Sequence, residues 1–102
     1  MPTNKMRPIH PGEILLEEFL RPLEMSSAGL AIALGVPANR ISAIVAGERA
    51  ITADTALRLA AAFGTTAEFW MNLQTKHDLD VAIGQEMKQI QQDVKPRTLH
   101  AA

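Results

Sequence analysis

The chain has 102 residues, 47% of them hydrophobic but only 4% aromatic, and it contains no cysteine. This length fits one domain with a modest aliphatic core, and without cysteine a disulfide framework is excluded. No apolar run approaches the roughly 20 residues of a membrane span and MPTNKMRPIH lacks a secretion signal, so a cytoplasmic protein is expected; at a net charge of −1, any nucleic-acid contact must come from where cations sit rather than from an excess of them.

Residues 1–9 are expected to form a flexible arm. The first helix follows HPGEILLEEFLRPL: Pro11 suits a first-turn position, and Glu13 is favourable near the positive helix end. Ile14, Leu15, Phe19 and Leu20 recur at helical spacing, and Pro22 is expected to stop the run. Ser26 is a candidate N-cap for SAGLAIALG, whose apolar face is Leu30, Ala31 and Leu34. Gly35 tolerates the left-handed conformation just past a helix end. Val36 and Pro37 lead directly into ANRISAIVAG, with Ile41, Ile44 and Val45 inward. Thr52 is expected to cap ADTALRLAAAF, and TTAE at 65–68 has the spacing of a capping box opening a long last helix. The expected fold is all-α, with five helices and no strand.

Two helices of about eight residues joined by a short glycine-containing turn make a helix-turn-helix unit. Its angled crossing needs a small residue on the first helix (Ala31), a glycine at the turn (Gly35), and apolar residues holding the angle from both sides (Leu30, Leu34, Val36, Ile41, Ile44). All are in place, so the motif is assigned to residues 26–46 within a DNA-binding domain spanning 10–64.

The runs IHPGEILLEEFLRPLEMS and LGVPANRISAIVAGERAITADTALRLAAAFGTTAEFWMNLQTKHDL resemble the HigA-type antitoxins, a family of the Cro/phage-repressor class of helix-turn-helix proteins. The resemblance covers roughly residues 8–80 and rests on HPGE, on RAIT through TALRLAAAFG, and on FWMNLQ followed by DL. It implies a five-helix Cro/repressor-like domain with an extended C-terminal helix. It also implies a dimer that represses its own operon and neutralises a RelE-like ribonuclease toxin encoded by an adjacent gene. Ser27 and Gly29 depart from relatives that carry Gln and a charged residue there.

A recognition helix presents its N-terminal residues to base edges in the major groove. Here these are Pro37, Ala38, Asn39 and Arg40, with Ser42 and Ala43 one turn on. Asn39 can pair with adenine and Arg40 with guanine, while Ala38 and Ala43 suit a thymine methyl. Ser27, Arg49 and Thr52 are candidate phosphate contacts, and Lys5 and Arg7 can reach the backbone from the arm. An ion pair with Glu48 is the alternative for Arg40. Arg58 is expected to pair internally, with Glu13 or Glu17. His10, His77 and His100 lack metal-ligand spacing, no cysteine nucleophile exists, and neither an enzyme nor a cofactor is expected.

Residues 65–95 are assigned to a C-terminal helix for dimerisation and 96–102 to a disordered tail. Leu79, Ile83, Met87, Ile90 and Val94 form an apolar stripe that must fold back on the domain or meet a second chain, with a bend near Gly84 or a projecting end. A two-fold dimer on a palindromic operator holds its recognition helices about 34 Å apart. The candidate interface residues are Trp70, Leu73, Leu79, Ile83, Met87 and Ile90. The competing readings are a free-standing regulator without a toxin partner and an interaction adaptor that never binds DNA.

Overall fold

In a computed structural model describing residues 7–98, the first helix, α1 (residues 11–23), starts from a histidine. The His10 Nδ1 accepts the Gly12 N–H at 2.9 Å, satisfying one donor that the helix leaves open, and Pro11 takes the first position. Pro22 does not stop α1. The helix is π-helical over Leu15–Leu20, with the Arg21 N–H on the Leu16 carbonyl, and returns to α geometry over Arg21–Leu23. Proline lacks an N–H and crowds the carbonyl one turn earlier, and a widened turn accommodates both. Glu24 ends the helix in the left-handed conformation (φ 54°), the Met25 N–H closing on the Leu20 carbonyl at 2.9 Å.

Four further helices follow: α2 (Ser27–Leu34), α3 (Ala38–Val45), α4 (Ala53–Phe63) and α5 (Ala67–Asp93). Among the described residues the fold is all-α. Lys5 and His100 lie outside those residues. Ser26 caps α2 through the Gly29 N–H at 2.9 Å. At Gly35 (φ 72°) the chain reverses, with the Val36 N–H on the Ala31 carbonyl, and α3 starts three residues on, at Ala38. Ala31 is buried at the α2–α3 crossing, where a larger side chain would push the helices apart.

The core joins Leu15 and Leu20 of α1, Leu30 of α2, Ile41 and Ile44 of α3, Ile51, and Leu59 of α4. The four Phe and Trp side chains gather on one side of it. The Phe19 ring lies 4.9 Å from Phe63 and 5.0 Å from Trp70, and Phe69 packs edge-on to Trp70. Trp70 is fully buried within this chain, so the interface role expected for it is corrected: its ring has no surface left for a partner. Leu73 is half-buried against the same core.

Two caps differ from expectation. Thr52 occupies the N-cap of α4, but its hydroxyl makes no capping bond. No Thr65–Glu68 box forms: Thr66 caps α5 through the Phe69 N–H at 3.0 Å, while the Thr65 hydroxyl accepts the Trp70 indole N–H at 2.8 Å. A buried indole N–H needs an acceptor, and Thr65 supplies it.

Helix α5 runs on through Gly84 and does not fold back. Its far half gives the molecule a longest dimension of 51 Å and leaves Leu79, Ile83, Met87, Ile90 and Val94 exposed.

Candidate nucleic-acid interface

The face built around the start of α3 is exposed at Pro37, Ala38, Asn39 and Ser42, half-covered at Arg40 and Ala43, and backed by buried Ile41 and Ile44. That division follows from helical spacing: positions 41 and 44 are one turn apart and point to the core, leaving 38, 39 and 42 outward. Ser27, half-covered, opens α2, while Arg49 and Thr52 lie exposed in the connection from α3 to α4.

Arg40 is not free. Its Nη1 donates to Asp54 Oδ2 at 2.7 Å, and the same oxygen accepts Arg58 Nε at 3.0 Å. The Arg58 Nη1 in turn donates to the Leu34 carbonyl at 2.9 Å, at the negative end of α2. The hydrogen bond from Arg58, then that from Arg40, hold the Asp54 carboxyl below the ordinary carboxylate range. Arg40 therefore pairs with Asp54 instead of Glu48. Arg58 is internally paired as expected, but with Asp54: Glu13 is taken by Arg7 at 2.9 Å and Glu17 by Arg21 at 3.1 Å. The Arg40–Asp54 contact brings the first turns of α3 and α4 together, and with them Thr52, two residues before Asp54.

The connection carrying Arg49 is fastened from beneath by a side chain of α5. Buried Gln74 of α5 accepts the Ile51 N–H on its Oε1 at 2.7 Å and donates from Nε2 to Asp78 at 2.9 Å. The His10 ring packs edge-on against the His77 ring, centroids 4.9 Å apart. Burial, then the His77 ring, lower the His10 imidazole below its ordinary value, so it stays the neutral acceptor that the Gly12 N–H requires.

Gly12 seats α3 itself. A Cβ built there would lie 1.8 Å from the Ile44 carbonyl oxygen, so the opening of α1 rests directly on the backbone at the end of α3. No larger residue fits without moving one helix from the other.

Sequence reasoning missed Asp54 and Gln74. Asp54 and Arg58 stand four apart on α4, a spacing visible in the sequence; the link to Arg40 is not local. Gln74 gave a weaker signal, a polar residue on the inward face of α5 beside Trp70 and Leu73. Among the described residues, no helix is long and apolar enough to cross a membrane and no group of His, Asp or Glu is arranged to hold a metal.

The helix-turn-helix family model matches residues 16–70. A solved antidote protein of the HigA family from Coxiella burnetii is 54% identical, with a TM-score of 0.85 over 90% of this chain and all of that one. The Pseudomonas aeruginosa antitoxin HigA, solved with the higBA promoter, is 49% identical, with a TM-score of 0.86 over 88% of this chain and 98% of its own. The curated antitoxin HigA-1 of Vibrio cholerae is 46% identical over 79 residues, 78% of this chain and 74% of that protein.

Proposed function

This chain belongs to the HigA-type antitoxins, within the Cro/repressor class of helix-turn-helix proteins, and from that premise we propose that it is a dimeric repressor that binds a palindromic operator of its own operon and neutralises a RelE-like ribonuclease toxin. One observation carries the DNA reading: Asn39 and Arg40, the side chains suited to adenine and guanine, stand at the first turn of α3 beside exposed Pro37 and Ala38. Ser42 and Ala43 extend that face by one turn, and Ser27, Arg49 and Thr52 flank it as phosphate contacts.

Dimerisation is supported by Leu79, Ile83, Met87 and Ile90, which the described residues of their own chain leave 37–57% exposed along the far part of α5. Water does not favour such a stripe, and a second copy covers it under two-fold symmetry. A toxin partner is supported by the acidic outer side of α1 and its end, where Glu17, Glu18 and Glu24 are exposed, since a ribonuclease that handles RNA carries a basic surface.

The test is binding of the full chain to the DNA upstream of its own gene and to a random duplex of equal length. Arg40→Ala and Asn39→Ala are each expected to cost about 1–3 kcal/mol on the first and little on the second. Equal losses on both would remove the base-reading role. Co-expression with the product of the adjacent gene tests the toxin: failure to co-purify and to rescue growth would leave a repressor alone.

A further inference from the structure

We propose that Asp54 is a positioning residue for sequence discrimination: held by Arg58, its carboxylate buttresses Arg40 so that the remaining guanidinium N–H groups face a base edge. This rests on the reading above that Arg40 contacts a base.

The geometry is a relay across three helices. The Leu34 carbonyl at the end of α2 fixes Arg58 Nη1, Arg58 Nε fixes Asp54 Oδ2 on α4, and that oxygen fixes Arg40 Nη1 on α3. Each link is 2.7–3.0 Å long. The Arg40 side chain is only 25% exposed, so its stem lies along the protein and its head is committed to one region of space. A guanidinium has five N–H donors in a rigid fork, and Asp54 engages Nη1 alone among those of Arg40. The donors left over are enough for two parallel bonds to a guanine edge.

A stabilising role explains this network poorly. Asp54 is 55% exposed, and ion pairs that open to water contribute little to folding. Electrostatics make its position more telling, because a carboxylate beside the DNA-facing cations repels phosphate. An anion tolerated there is accounted for by what it does to Arg40: it restricts a flexible side chain before binding, so that less freedom is lost in the complex.

The experiment compares the unmodified protein with Asp54→Ala, Asp54→Asn, Arg40→Ala and the Arg40→Ala/Asp54→Ala double variant. Dissociation constants are measured on the DNA upstream of the gene and on a random duplex, at several salt concentrations, with thermal melting to check the fold. Asp54→Ala is expected to lower operator preference roughly tenfold while random DNA binds equally or more tightly. Asp54→Asn, which keeps the shape and an acceptor oxygen, is expected to fall between. With Arg40 already removed, the change at position 54 is expected to leave preference unaltered. Tighter binding of both DNAs by one common factor would overturn the inference, with Asp54 acting only as a repelling charge. An undiminished loss in the Arg40→Ala background would overturn it too, since Asp54 would then act without Arg40. Arg40→Ala that leaves operator preference intact would overturn this inference together with the base-reading role beneath it.

Discussion

The two ends of the molecule are built on opposite terms. Around α3, polar and apolar groups alike find partners within the chain: Arg40 on Asp54, Ile51 on Gln74, the opening of α1 on the Ile44 backbone. Beyond Leu79, α5 carries an apolar stripe that the described residues leave exposed, and polar contacts there include pairs within the helix, such as Gln89 to Asp93 at 2.8 Å. The same chain thus contains one region braced by its own side chains and one whose apolar stripe the described residues leave uncovered. Such a difference appears in how stability responds to mutation and to concentration.

The largest effect separating the two regions is expected from their big side chains. Trp70→Ala removes a fully buried ring and should cost about 3–5 kcal/mol at any protein concentration. Ile83→Ala should change dilute-protein stability by no more than about 0.5 kcal/mol, and should matter only at tens of micromolar, where the proposed dimer would add to stability. Urea unfolding at two concentrations measures both; an Ile83→Ala cost that ignores concentration would mean the stripe is packed within the protomer.

A smaller contrast lies in two glycines. Gly12→Ala forces a methyl into the Ile44 carbonyl and should destabilise by about 1–3 kcal/mol. Gly84→Ala meets nothing within 4 Å and should stabilise by up to about 1 kcal/mol through helix propensity. Opposite signs in the same denaturation assay are the expected result, and matching signs would erase the distinction.

The smallest effect is pH-dependent. His10 in the fold has its pKa lowered by burial and by the His77 ring, with the Arg49 backbone and Asp78 opposing. Below the ordinary imidazole value of about 6.5 the unfolded chain therefore binds more protons than the folded one. Stability from the neutral cap is present above that value and is lost as pH falls through the folded pKa. His10→Asn keeps an acceptor for the Gly12 N–H without titrating, and melting temperatures between pH 7.5 and 5 should then fall less steeply than in the unmodified protein.

Much of the helix-turn-helix was legible because its constraints are local. Ser26 three residues before a backbone N–H, Gly35 where the chain must go left-handed, and Ala31 at helical spacing from Leu34 each act within a turn or two. The Arg40–Asp54 bridge crosses 14 residues and depends on how two helices cross, which no periodicity encodes. Thr65 and Thr66 are equivalent as letters, and the position of the Trp70 indole decides which one caps. Trp70 itself was misassigned for a related reason: an apolar residue on a helix face announces burial without naming the chain that buries it.

Helix α5 also has a mechanical consequence. Gln74 grips the connection carrying Arg49, and Ile90 lies 16 residues further along the same helix, about 24 Å away at 1.5 Å per residue. Over that arm, a tilt of about 5° at Gln74 becomes a sweep of about 2 Å at the tip. Clamping the tip correspondingly damps small rotations at its root, so a grip on the far end of the rod steadies a loop that it never touches.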